Sequence, residues 1–392
     1  MGVSRASEPC PHHGAPGCYA PCVTRERTRS RAVTGAHEAI GAVGSVLRRE
    51  AKAALARWAL QKRLAPASTE WSSRDEATHP WDGRKRFAED YTFIAVQAGL
   101  GLLVRLEWLP GRGSHRLWLA VLREGGTWVL GEQGQVLVRD AGTDRWRAGG
   151  LELDCIKPLA RWRIRFEGPL RLQGSDTTST GRIDLTFGAD DLPFSPGVDD
   201  DPELVARRIG EAVWDRKLLQ AVRRDHSRGY AQTGTLSGTV AVAEMLVPVR
   251  AAAARQHTWG VRDWGAPDEA FQCFVAWEDG RRALVHRAVF PFVTLEGGYV
   301  RAAGQTRDLV RGLGVSSELR PGGAPAHLEL SVELGGLPQP LGVRLGNERE
   351  VGFGVDGRGE FSFALCRVGD NEGWGLWAGQ RRTLRRPRTR RP

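Results

Sequence analysis

Residues 161–172, RWRIRFEGPLRL, alternate apolar and charged side chains through their first six positions. Trp162, Ile164 and Phe166 share one face and Arg161, Arg163 and Arg165 the other, the period of a half-buried antiparallel strand. The same reading holds for HRLWLAVL, GRIDLTF, TLSGTVAV, FQCFVAW, ALVHRAVF, HLELSVEL, EVGFGV and FSFALCRV. Glycine-containing turns, REGGTW, WEDGRR and VDGRGE, read as hairpin connections between such runs. So many short strands at regular spacing point to barrels or sandwiches rather than to a βαβ sheet. The expected fold class is all-β.

Two stretches keep a helical period instead. Residues 36–65 carry Ile40, Val43, Leu47, Leu55, Trp58 and Leu60 as an apolar set and Arg48, Arg49, Lys52, Arg57, Lys62 and Arg63 as a basic one. A basic amphipathic helix of this kind suits either an anionic membrane surface or packing on its own domain. Residues 202–224 follow an acidic cap and Pro202, and place Leu204, Val205, Ile209, Val213, Leu218 and Val222 at helical spacing.

The formal charge of +10 suggests a nucleic-acid partner until its distribution is considered. The last twelve residues, RRTLRRPRTRRP, hold seven arginines and no acid, and residues 1–35 hold five arginines against two acids. The body between is near neutral and has no global reason to seek phosphate backbones. Only the Arg-rich tail, 381–392, offers a weaker route to nucleic acid or anionic lipid. Residues 1–35 read as a disordered extension. Within them CPHHGAPGCYAPC offers Cys10, His12, His13, Cys18 and Cys22, zinc-type ligands in a spacing that matches no standard finger, so no metal site is assigned. Cys155, Cys273 and Cys366 read as ordinary buried thiols. No run is long enough for a transmembrane helix and the amino terminus lacks the apolar core of a signal peptide, so the expectation is a cytoplasmic protein, with peripheral membrane contact through the basic helix left open.

The stretch RQHTWGVRDWG, residues 255–265, concentrates the chemistry. Extended as a strand, it puts His257, Trp259 and Asp263 on one face and Arg262 and Trp264 on the other. An acid in an apolar, aromatic cavity has its pKa raised and stays competent to protonate an alkene, with indoles to tolerate the resulting cation. The expected catalytic pair is therefore Asp263 and His257. A ligand would be lined by Trp259, Trp264, Arg262, Trp162 and His286, the last sharing a strand face with Ala288 and Phe290. The alternative is a buried structural motif, and both readings stay open.

The stretch resembles the H-[ST]-[WF]-G-x-R-D-W signature of two-domain lipocalin-like proteins related to AttH and carotenoid 1,2-hydratase (hydroxyneurosporene synthase). It stands here as His257, Thr258, Trp259, Gly260, Val261, Arg262, Asp263 and Trp264. KPLARWRIRFEGPLR, YAQTGTLSGTV and NEGWGLWAG resemble further segments of that group in the same order. The arrangement is also similar to the β-rich front of phosphotransferase-like proteins related to phosphoenolpyruvate synthase. GRGSH, residues 111–115, resembles a phosphohistidine loop, but it lies between strands with no helix after it, against phosphoryl transfer.

The resemblance implies two lipocalin-like antiparallel β-barrels or half-barrels with one N-terminal amphipathic helix and one inserted helix. The first domain would span 70–265, with the helix 202–224 inserted, and the second 266–380. It implies binding of an apolar small molecule, of isoprenoid or polyketide type, in a barrel lumen, with hydration, isomerisation or cyclisation that needs no cofactor. The competing reading is a non-catalytic lipid-binding or accessory module acting with a separate enzyme.

Overall fold

The structure, a computed structural model, describes residues 45–58, 71–132, 134–139, 146–216, 227–318, 324–335, 337, 340–369 and 373–383. The Cys/His cluster near the start, the extension 1–35 and residues 384–392 of the Arg-rich tail lie outside the described residues.

The first sheet comprises β1 (Phe87–Gln97), β2 (Leu100–Leu109), β3 (Ser114–Arg123), β4 (Gly126–Leu130), β5 (Gln135–Arg139), β6 (Arg147–Ala148), β7 (Leu151–Lys157), β8 (Arg161–Leu172), β9 (Thr178–Ala189), β10 (Arg228–Val242) and β11 (Met245–Val261). Its order is β4-β3-β2-β1-β11-β10-β9-β8-β7-β6, with β5 on β3. β4 also pairs with β8, from Trp128 opposite Leu172 to Leu130 opposite Leu170, so the sheet curls back on itself. The strand reading of residues 161–172 is realised in β8: Trp162, Ile164 and Phe166 are buried inside, beside Tyr91, Phe93, Leu119 and Phe187.

The second sheet is a closed antiparallel barrel of β12 (Glu269–Trp277), β13 (Arg282–Val289), β14 (Thr294–Arg301), β15 (Asp308–Glu318), β16 (His327–Leu334), β17 (Leu341–Val355), β18 (Gly359–Val368) and β19 (Gly373–Arg382). Its core contains Phe271, Cys273, Val275, Val285, Leu330 and Leu345. A third core lies where the outer faces of the two sheets meet, joining Ile94, Leu103 and Trp118 to Phe274, Leu284, Phe353 and Phe363. That contact explains why β1 and β2 are buried along nearly their whole length: each has a core on both faces and so shows no clean alternation.

Both helices differ from the sequence expectation. Residues 45–58 are helical (α1); residues 36–44 and 59–65 lie outside the described ones. The residues α1 buries are Ala53 and Ala56, whereas Leu55 and Trp58 are 51% and 54% exposed. Ala53 sits against Gly210, where an added Cβ would come 2.9 Å from it. Small side chains thus allow a close helix approach, and Leu55 and Trp58 of the apolar set are turned outward. α2 spans Pro202–Glu211, capped by the Asp201 carboxylate accepting from Leu204 N. It is interrupted at Ala212, where the Val213 N–H leaves the helix for the carbonyl of Phe292; residues 217–226 of the expected helix lie outside the described ones. No described helix is long and apolar enough to cross a membrane.

Candidate functional site

β11 crosses the first sheet between β1 and β10, placing His257 opposite Tyr91 on one side and Tyr230 on the other. Alternation sends Arg255, His257 and Trp259 to the inner face, where polar groups gather at one end of the apolar interior. The segment 71–79, with its single 3₁₀ turn Ser73–Glu76, supplies the rest. Trp71 rests on Tyr230 with centroids 4.6 Å apart.

Two buried carboxylates organise this end. Glu76 receives Arg255 Nη1 at 2.9 Å and Nη2 at 2.7 Å, Trp162 Nε1 at 2.7 Å and the hydroxyl of Tyr230. Burial pushes its pKa up, but the hydrogen bonds and charge of Arg255 and the Tyr230 hydroxyl outweigh this and hold it below the usual carboxylate range. Arg255 also donates to Gln232, whose amide bonds the carbonyls of Leu159 and Asp191 at 3.0 Å each. This carboxylate is a saturated anchor.

Glu89 is different, because its partners are imidazoles. Its Oε1 lies 2.9 Å from His79 Nδ1 and 3.1 Å from His257 Nε2, while the backbone N–H of His79 reaches both carboxylate oxygens at 3.1 Å. Burial raises its pKa, and the hydrogen bonds of His257 and His79 more than reverse that. Burial lowers the pKa of His257 and the Glu89 charge only partly opposes it, so near neutrality the imidazole is neutral beside an ionised carboxylate. The His257 ring stacks on Tyr91, 4.1 Å between centroids. Its Nδ1 is buried and finds no hydrogen-bond partner among the described residues. Such an atom is costly unless something meets it.

Of the residues singled out in the sequence, the fold brings His257, Trp259 and Trp162 together here. Asp263 is not among them, and its expected role as a protonated acid is corrected by its surroundings. The strand ends at Val261 after Gly260 turns with φ of +118°, and the Asp263 carboxylate emerges at a rim between Arg86 at 2.5 Å and Arg358 at 3.2 Å. Burial pushes its pKa up, but the Gly265 N–H and the two guanidinium groups bring it below the ordinary value, the opposite of what a proton donor needs.

The remaining expectations are redistributed. Arg262 lies on the opposite face of the sheet, held by Asp90 at 2.5 Å and Glu107 at 2.7 Å. Trp264 packs between the two sheets, 5.5 Å from Trp118. Neither lines the interior: both lie on the side of the sheet away from His257. His286 faces away from the lumen of the second barrel, whose β13 contribution is Ala283 and Val285, and bonds Asp200 Oδ1 at 3.0 Å. His115 of GRGSH is buried within β3. A separate cleft of about 270 Å³ lies between α2 and β13–β14, lined by Arg208, Arg287, Phe290 and Phe292 among others.

Sequence reasoning did not find Glu76, His79, Glu89, Arg255 or Tyr230 as site residues. Arg255 stood inside the quoted stretch, but Glu76 and His79 come from an irregular segment with no periodic signal.

No curated relative matches the chain in sequence. Among solved structures it is similar to an AttH protein from Nitrosomonas europaea, at 12% identity and a TM-score of 0.49 over 79% of this chain and 95% of that one. It is similar to kievitone hydratase from Nectria haematococca, at 10% identity and 0.44 over 75% and 87%. CghA with Sch210972 stands at 12% identity and 0.44 over 75% and 88%. The sequence match is more direct: residues 72–379, from the segment that carries Glu76 to the last strand of the second barrel, fit one family throughout, and the chain belongs to that family, described as Domain of unknown function (DUF7064).

Proposed function

We propose that the chain binds a small, largely apolar molecule bearing one hydrogen-bonding group, at the polar end of the first sheet's interior. The observation that supports this is His257: its Nε2 is occupied by Glu89, while Nδ1 is buried without a hydrogen-bond partner among the described residues and the ring is surrounded by Tyr91, Trp146, Tyr230 and Trp259. Aromatic walls with one oriented polar atom are the ordinary make-up of a small-molecule site. Asp263, held ionised between two arginines, is withdrawn from the reading, and hydration driven by that acid goes with it. The isoprenoid or polyketide character of the ligand rests on the resemblance of the HTWGVRDW stretch.

The test is native mass spectrometry of the protein purified from its own host, followed by extraction and identification of what it carries, with His257→Gln run in parallel. A stoichiometric small molecule on the parent that is lost from the variant supports the reading, provided that the β-sheet circular dichroism of the two agrees. A parent that arrives without one, or a variant that retains it equally, overturns the assignment to this site.

A further inference from the structure

Glu89 offers two oxygens, yet both neighbouring ring nitrogens converge on one of them, Oε1, at 2.9 and 3.1 Å. Two imidazoles acting only as hydrogen-bond donors are free to divide between the two oxygens. Among the described residues Oε2 receives only the backbone N–H of His79, at 3.1 Å, which Oε1 shares. The three groups arrive from separate parts of the chain, the segment after the 3₁₀ turn, β1 and β11, and their ligand atoms lie within 4.8 Å of one another. Bonds of about 2.0–2.2 Å from a metal to nitrogen or oxygen place neighbouring ligand atoms roughly 3 Å apart, and the two nitrogen–oxygen separations here are 2.9 and 3.1 Å.

We propose that His79 Nδ1, Glu89 Oε1 and His257 Nε2 form a three-ligand site for a divalent transition-metal ion. Two imidazoles and one carboxylate suit zinc, and equally iron, cobalt or nickel among first-row metals. Support around the ligands is already built. His79 lies flat on Trp259, with centroids 3.8 Å apart and planes 7° from parallel, which fixes the direction of Nδ1. Its backbone N–H orients the Glu89 carboxylate, the role that outer hydrogen bonds play around metal ligands. His257 and Glu89 are fully buried and His79 is 19% exposed, so entry is from the His79 side. Three protein ligands leave at least one coordination position for an exogenous oxygen. This is a separate claim from the binding of an apolar molecule, although the open position would suit such a ligand's polar group.

The experiment uses the full-length chain without a histidine tag, carrying Cys10→Ser, His12→Ala, His13→Ala, Cys18→Ser and Cys22→Ser, because those residues are zinc-type ligands in their own right. Titration with Zn²⁺ followed by elemental analysis after dialysis is expected to give one zinc per chain. Co²⁺ loaded in its place is expected to show the visible absorption of a low-coordinate site. His79→Phe keeps a flat ring against Trp259 but removes Nδ1, and is expected to weaken zinc binding at least 100-fold while the far-ultraviolet spectrum stays unchanged; Glu89→Gln is the second variant. A folded parent that holds no metal overturns the site, and so does a His79→Phe chain that binds zinc as tightly as the parent. A metal-free protein that still carries its small molecule defeats this proposal alone. A metal-loaded protein that carries none defeats the ligand reading alone.

Discussion

The indole of Trp259 and the imidazole of His79 lie face to face, 3.8 Å between centroids and 7° from parallel, although they are 180 positions apart in the chain. The stack couples the irregular segment 71–79 to the end of β11. Trp259→Leu removes it and leaves His79 unsupported. The expected loss is about 1–2 kcal/mol of unfolding free energy, from the ring pair and the apolar area together. Urea denaturation followed through the remaining tryptophans reads it as a lower midpoint.

Arg255 and Glu76 form a fully buried pair whose members depend on each other. Arg255→Met leaves a buried carboxylate with no cation and is expected to cost about 3–5 kcal/mol. The double variant Arg255→Met with Glu76→Gln removes both charges and should recover a large part of that loss. A double-mutant cycle in urea that shows simple additivity would mean that the two are not coupled.

Asp263→Asn is expected to be mild. The carboxylate is 33% exposed, and its two arginine partners are also solvent-facing, so the change in stability should be about 1 kcal/mol or less. The small molecule recovered from the variant should match that from the parent in identity and amount. A changed product or an emptied site would restore Asp263 to the chemistry.

Asp90 supplies an acid-sensitive contribution. It faces Arg105 on β2, Arg262 and Thr258 at the end of β11, and shares those arginines with Glu107. Burial raises its pKa, but the charges of Arg105 and Arg262 and the Thr258 hydroxyl bring it down to about 2. A depressed carboxylate adds stability above its unfolded pKa, near 4, and loses it as pH falls towards the folded value. Stability should therefore decline between about pH 4 and pH 2, and Asp90→Asn should flatten that part of the curve in acid titrations followed by circular dichroism.

How far the sequence could be read depended on backbone regularity. Trp162 and His257 were legible because β8 and β11 hold period two up to those positions, and alternation alone turns them inward. Asp263 was misplaced because the period was carried past Gly260, where a positive φ ends the alternation. His286 was misplaced for another reason: period two separates two faces without saying which one is the lumen, and on β13 the residues inside are Ala283 and Val285. Glu89 was hidden within FAEDYTF, a strand buried on both sides, where a carboxylate signals nothing until its partners are known. The break in the helix 202–224 after Glu211 was not legible, because apolar spacing continues past Val213, whose backbone N–H is claimed by Phe292.

The anchoring of Glu76 by Arg255 also bears on the order in which the protein is made. The two residues are 179 positions apart, and β1, which follows Glu76, takes one of its two neighbours from β11. At 5–20 residues per second the ribosome needs roughly 10 to 35 s to deliver Arg255 after Glu76 has been added. During that interval a carboxylate destined for the interior waits in water, and β1 has an unfilled edge next to β2. The first sheet cannot close until β11, Met245–Val261, has been synthesised, so nascent chains stalled before residue 245 should be the ones that chaperones hold.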